Sequence, residues 1–246
     1  YIDATRAWAK PVAECGFALI LCALRKIPHW HHRLAVGSFD WKYPYDQFCD
    51  DPDFANGELA TQTVGVVGLG QIGSRIAHWC RVFGADVFAH DPFAPAERFE
   101  AVGARSAEID ELVERVDILV IAVPPTPSAV NLVNAERVHR LRTGAIVMSV
   151  TRTAALDVDA LRGRVLKNQL LWASDVFDVE PIPADDPILG RENVVHVPHI
   201  AGRTRDANHH VAEVIAGDFL RVLDGKLPEA ALSPSAVQVR TGKPVD

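Results

Sequence analysis

Polar residues follow apolar, β-branched runs at three places in the second half of the chain. Arg152 comes after AIVMSV (145–150), Asp178 and Glu180 come after LWASDVF (171–177), and His199 comes after VVHV and Pro198. Each type has a distinct competence. An arginine can fork a carboxylate through two parallel N–H bonds and polarise a neighbouring carbonyl oxygen. A histidine exchanges a proton near neutral pH, and an adjacent carboxylate fixes its orientation and favours its charged form. Singly, each is more often structural; converging on one crevice, they suit recognition of a small acid with transfer of a proton. The complementary signal lies upstream. Gly68-Leu69-Gly70-Gln71-Ile72-Gly73 is a GxGxxG that follows the run TVGVV (63–67) and opens a polar stretch of helical period. The first glycine suits a tight turn, the second lets the backbone approach a pyrophosphate, and the third lets a helix pack closely on a strand. The helix amino terminus then offers N–H groups and a positive dipole end to the phosphates. Asp91, eighteen residues beyond Gly73, ends the next apolar run, where a carboxylate can accept from an adenosine ribose diol. It would repel a 2'-phosphate, and the following PFAPAE holds no arginine to receive one, so NAD is expected over NADP. The plain alternative for Asp91 is a turn residue ahead of Pro92. With a nicotinamide beside them, Arg152, a carboxylate and His199 meet the needs of hydride transfer at a 2-hydroxy or 2-keto acid.

Such residues converge only if strand ends converge, and the hydrophobic pattern supplies that scaffold. From residue 62 on, short apolar runs alternate with polar helical stretches, the pattern of βαβ units around a parallel sheet. Strands are expected at 63–67, 86–90, 117–123, 145–150, 171–177 and 194–197, with helices at 71–83 and 157–167. In the helix at 71–83, Ile76, Ala77, Cys80 and Phe83 form the apolar face. A final helix over 204–224 would turn Val211, Val214, Ile215, Phe219 and Val222 inward and stop at Gly225. The fold class is therefore α/β, a doubly wound parallel sheet. In such a sheet ligands bind outside the carboxyl ends of the strands, where Arg152, Glu180 and His199 fall. Ahead of it, a helix is expected with Pro11 in its first turn, an apolar stripe of Ala13, Phe17, Ile20 and Leu24, and a stop at Arg25, Lys26 and Pro28. Residues 37–57 have no clear period and read as a loop, and the tail beyond Gly225 is expected to fray or to dock elsewhere.

Composition bounds these readings. The 246 residues are 48% apolar and 23% charged with a net charge of -7, which excludes disorder, collagen and coiled coil. That acidity, with a pI near 5.8, argues against a nucleic-acid partner. The longest apolar run, FALILCAL at 17–24, is shorter than the ~18 residues of a membrane span, so no membrane partner is expected. The four cysteines form no CxxC pair, and Cys15 and Cys22 read as small core residues. Nothing at the start resembles a signal peptide, so a cytoplasmic setting is expected. Ten histidines include the adjacent pairs His31-His32 and His209-His210, which point to different helix faces, so no metal site is expected.

The chain also resembles the NAD-dependent D-2-hydroxyacid dehydrogenases. The likeness rests on PVAE (11–14), VGVVGLGQIG (64–73), VTRTAALD (150–157), SDVFDVEP (174–181) and VPHIAGRTR (197–205), in that order over almost the whole chain. By this resemblance Arg152 matches the substrate-carboxylate arginine, Glu180 rather than Asp178 the catalytic glutamate, and His199 the acid/base histidine. Asp175 matches the residue that meets the nicotinamide carboxamide. Gln71, Ile72, Val123, Val150, Thr151, Ala201 and Gly202 match positions that line the cofactor. The family usually has Asn where this chain has Ser149 and Gly where it has Thr153. The Cβ added at 153 bears on the aim of Arg152 if the backbone there needs the conformations glycine permits. The resemblance implies a Rossmann-like NAD-binding domain over 37–225, an interdomain helix region over 1–36, and the tail of a substrate domain over 226–246. Because the chain starts at Tyr1, has Met148 as its only methionine and reaches its glycine motif at residue 68, the rest of that substrate domain is expected upstream. The resemblance further implies a homodimer. A second reading is an NAD(H)-sensing binding protein, because the C-terminal binding protein corepressors resemble the same family.

Overall fold

Runs of valine, isoleucine and alanine too short for helices become the strands of one seven-stranded sheet in a computed structural model that describes residues 5–38 and 57–241. The strands are β1 (Thr63–Val67), β2 (Asp86–His90), β3 (Arg105–Ser106), β4 (Ile118–Ile121), β5 (Ile146–Ser149), β6 (Leu171–Ser174) and β7 (Val194–His196). Their order is β3-β2-β1-β4-β5-β6-β7, and every pair is parallel. The chain thus winds outward from β1 to β3, returns to β4 beside β1, and winds outward the other way. That reversal opens a crevice at the carboxyl ends of β1 and β4. All of β4 and β5 is buried, as strands covered on both faces must be. Side chains alternate between two cores: Ile118, Val120, Ile146 and Met148 on one face, Leu119, Ile121 and Val147 on the other.

Helices cover both faces. The first face is packed by α1 (Thr5–Arg25) and α3 (Gln71–Val82); the second by α5 (Ile109–Arg115), α6 (Ala135–Arg140) and α7 (Val158–Leu166). Three more helices lie outside these layers' centres: α2 (Ile27–Ala35), α4 (Ala96–Val102) and α8 (Arg205–Leu223). Among the described residues α1 alone is long and apolar enough to cross a membrane. Its apolarity has a use in the fold, since Ala13, Leu19, Ile20, Ala23 and Leu24 form part of the first core.

Several expectations need correction. Pro11 lies inside α1, six residues past its start, rather than in its first turn. Four strands end earlier than their apolar runs, at Ile121, Ser149, Ser174 and His196, because the last residues of each run leave the ladder to build the crevice. Phe83 lies beyond the end of α3 and is exposed, with its ring 5.1 Å from that of Phe17. Helix α8 spans nearly the expected residues, but Ile215, Phe219 and Val222 are exposed. Its buried residues are Ala207 and Asp218, and the Asp218 carboxylate accepts the N–H groups of Glu229 and Ala230. Within the described residues the tail forms a further helix, α9 (Pro234–Thr241), with Val237 buried. Cys15 and Cys22 sit half-buried at the margin of the first core, and burial raises both thiols, Cys15 to about 11. Most of the segment read as a loop, residues 39–56 with Cys49, lies outside the described residues.

Candidate functional site

The glycine loop is shaped by contacts that tolerate no side chain. Gly68 has φ +92°, and a Cβ there would stand 2.7 Å from a methyl of Val123, two residues past the end of β4. A Cβ on Gly73 would stand 1.9 Å from the carbonyl oxygen of Gly68, so the first turn of α3 can approach the loop only without one. Gly70 is the reverse case. Nothing lies within 4 Å of its would-be Cβ, and it caps α3 with no side-chain bond to the first turn. Open space before uncapped N–H groups fits a pyrophosphate. Gln71 and Ile72 begin α3, Gln71 exposed and Ile72 packed against the core.

Asp91 takes the turn role and also ties the glycine loop. One carboxylate oxygen accepts the Leu69 N–H at 2.8 Å, tying the end of β2 to the glycine loop, and the other accepts the Phe93 N–H at 3.0 Å in the turn. Each oxygen keeps a lone pair, so a ribose hydroxyl can still be bound. Sequence reasoning missed Arg98, the residue directly after PFAPAE. As the third residue of α4 it folds back over the loop and donates to the Leu69 carbonyl at 3.4 Å. Its contact depends on where α4 begins, at Ala96, and the sequence carries no clear signal of that start.

The remaining strand ends are stitched together in turn. Thr151 donates its hydroxyl to the Val123 carbonyl at 2.9 Å, joining the ends of β5 and β4. Val150 points into the first core and is buried. Asp175 sits past β6, 1% exposed, with its N–H on the Ser149 carbonyl at 3.1 Å. One of its carboxylate oxygens accepts the N–H groups of Ile200 at 2.7 Å and Ala201 at 3.1 Å. Burial raises the Asp175 carboxyl, and these two N–H groups offset only part of that rise. Gly202 lies against α1, where its Cβ would meet Val12 and Trp8 at 3.4 and 3.5 Å.

His199 and Glu180 are brought together from two different loops. His199 has φ +52°, a left-handed conformation that histidine tolerates better than most residues, in a turn closed by its N–H on the Val197 carbonyl. Its Nδ1 lies 2.6 Å from Glu180 Oε2, while Glu180 Oε1 accepts the Phe177 N–H at 2.8 Å. Because an ionised carboxylate only accepts, Nδ1 carries the proton and Nε2 is left for a reactant. Burial works to raise the Glu180 carboxyl, but the His199 hydrogen bond, the Phe177 N–H and the charges of His199 and Arg152 outweigh it and hold it below the usual glutamate value. Asp178 is turned away, facing Arg162 at 3.4 Å. Arg152 is close enough for its charge to act on Glu180, is exposed, and donates to the Thr151 carbonyl at 2.7 Å. Thr153 begins a turn of 3₁₀ helix, and among the described residues the left-handed non-glycine ones are Lys26, Asn131, Asn168 and His199. Thr153 is not one of them, so its Cβ carries no left-handed backbone strain.

A switch point under a glycine loop, with a carboxylate beside the loop and an imidazole–carboxylate pair along the same edge, defines a dinucleotide-binding domain. The chain belongs to the D-isomer specific 2-hydroxyacid dehydrogenase family through its NAD binding domain, which matches residues 17–201. It is 33% identical over 214 residues to a D-3-phosphoglycerate dehydrogenase of Archaeoglobus fulgidus, covering 87% of this chain and 39% of that one. It is 32% identical over 236 residues to a glyoxylate reductase of Thermofilum pendens, covering 93% of this chain and 66% of the other. Among solved structures, the PH0520 protein of Pyrococcus horikoshii superposes with a TM-score of 0.82 at 28% identity, covering 95% of this chain and 69% of its own. The chain thus spans less than half the length of the phosphoglycerate dehydrogenases it matches, 39% and 45% for two of them.

Proposed function

We propose that this chain supplies the NAD site and the proton-handling residues of a dehydrogenase acting on D-2-hydroxy acids or the corresponding 2-keto acids. The observation that carries this reading is the 2.6 Å hydrogen bond between His199 and Glu180, set on the sheet edge that also bears the glycine loop and Asp175. Bound NAD(H) accepts or supplies the hydride at its nicotinamide ring. Arg152 holds the substrate carboxylate through its guanidinium fork, after releasing the Thr151 carbonyl it now meets. In oxidation, His199 Nε2 takes the proton of the 2-hydroxyl as the C2 hydride leaves; in reduction it returns that proton to the carbonyl oxygen. Glu180 keeps the imidazole in the tautomer that exposes Nε2 and stabilises its charged form. Asp175 receives the nicotinamide carboxamide, and Gln71, Ile72, Val123, Val150, Thr151, Ala201 and Gly202 line or support the cofactor bed. The division into residues 1–36, 37–225 and 226–246, a homodimer and a cytoplasmic setting belong to the same reading.

The test is His199→Asn in the full-length protein. Turnover with NADH and a panel of 2-keto acids should fall by about 10²–10⁴-fold, with NADH affinity nearly intact. Near-normal turnover would dismiss His199 as the proton carrier. Absence of turnover by the unmodified protein on every 2-keto acid, with NADH-dependent capture of a protein partner, would favour a sensor instead.

A further inference from the structure

Two serines that this chemistry does not use lie directly beneath it. Ser149 ends β5, Ser174 ends β6, the two are paired in register, and both are fully buried. Their hydroxyl oxygens are 2.8 Å apart. Trp172 Nε1 donates to Ser149 Oγ at 3.3 Å, the Val176 N–H donates to Ser174 Oγ at 3.1 Å, and Ser174 Oγ lies 2.6 Å from the Val176 carbonyl oxygen. An indole N–H can only donate and a carbonyl can only accept; the Ser174 hydroxyl meets two carbonyl oxygens, of Val176 at 2.6 Å and of Ser149 at 3.2 Å, and the shorter contact takes its proton. Trp172 donates to Ser149, Ser149 donates to Ser174, and Ser174 donates to the Val176 carbonyl. A buried hydroxyl without partners is costly, and this relay satisfies both.

The relay ends on the backbone of one turn. Ser174 grips both the N–H and the carbonyl of Val176, while the Ser149 carbonyl holds the N–H of Asp175. Asp175 is thereby fixed on both sides from below, and its carboxylate is held from above by the Ile200 and Ala201 N–H groups. We infer that the Ser149–Ser174 pair is a positioning device for the nicotinamide end of the cofactor, acting through Asp175. The inference rests on the proposed contact between Asp175 and the nicotinamide carboxamide.

The test compares two ligands in the full-length protein by titration calorimetry: NADH, and ADP-ribose, which has the adenosine and pyrophosphate but no nicotinamide. Ser174→Ala removes the grip on Val176 without adding volume. It should weaken NADH about five- to tenfold, the scale of one lost hydrogen bond, and leave ADP-ribose within about twofold. Ser149→Ala, which spares the Ser174 hold on Val176, should show the same selectivity at smaller amplitude, and it serves as the readout if Ser174→Ala does not fold. Ser174→Cys, which keeps a polar group there, should recover part of the loss. Equal weakening of both ligands, or of neither, overturns the inference. Asp175→Asn separates the two layers of argument. If it shifts the NADH to ADP-ribose ratio and the serine variants do not, the serine pair fails alone; if Asp175→Asn leaves the ratio unchanged, the carboxamide contact and the inference fall together.

Discussion

At the scale of single residues, Asp91 ties two backbone segments through its carboxylate, and the proposed ribose contact would give the same group a part in cofactor selectivity. Both of its oxygens hold backbone N–H groups, of Leu69 and Phe93, and both retain capacity for a ribose diol. A 2'-phosphate would bring negative charge against it, with Arg98 the nearby cation over the same loop. Asp91→Ala should therefore raise the Kd for NADH and lower that for NADPH, narrowing the preference by about tenfold or more, the scale of one charge-assisted contact. Fluorescence titration with both cofactors checks this, and an unchanged ratio would leave Asp91 a loop tie only. The glycines, Asp91 and His199 were legible in the sequence because their types are scarce and their places after strands are fixed by topology. Arg98 was not, because its contact depends on a helix start that seven residues of weak pattern do not announce. Nor was the backbone conformation of Thr153, which is not left-handed.

At the scale of elements, what the sequence hid were the short helices α4, α5 and α6, of six or seven residues, too brief for a 3.6-residue period to stand out. Two of them are held by charge. Asp110 on α5 accepts from Arg137 Nε at 3.0 Å and Nη2 at 2.8 Å, and from Arg140 Nη1 at 2.6 Å, both arginines on α6. The Arg137 hydrogen bonds, with Arg140 beside them, pull the Asp110 carboxyl down to about 2. A carboxyl lowered by folding contributes stability above its unfolded value, about 3.9, and loses that contribution as pH falls toward the folded one. Asp110→Asn should thus lower the urea midpoint by a constant amount from neutral pH down to about 4.5, and the difference should close between about 4 and 2. A gap that persists at pH 2 would show that the α5–α6 link does not depend on the charge of Asp110. The fate of α8 shows the opposite limit of pattern reading. Its stripe of Ile215, Phe219 and Val222 was visible, but periodicity gives a face without saying what meets it, and here that face is exposed.

At the scale of the whole molecule, the hydrophobic alternation that set the parallel sheet also set the site, because every loop of the crevice hangs from a strand end. The ties run across the sheet edge in sequence: Asp91 to Leu69, Gly68 against Val123, Thr151 to Val123, Asp175 to Ser149 and to the 200–201 turn, Glu180 to His199. A dinucleotide spanning this edge touches loops from both windings of the sheet and has no equivalent partner in the unfolded chain. Binding should therefore appear as global stability. At a hundredfold excess of NADH over its Kd the linkage is about 2.7 kcal/mol, and for a chain of this size that corresponds to a rise in Tm of roughly 5–10 °C. ADP-ribose at the same multiple of its own Kd should give nearly the same shift, since linkage depends on saturation rather than on which loop is touched. Differential scanning calorimetry at graded ligand concentrations measures both. A Tm that does not move with NADH while titration shows binding would mean that the edge loops unfold independently of the sheet, and that the strand ends do not carry the site as one unit.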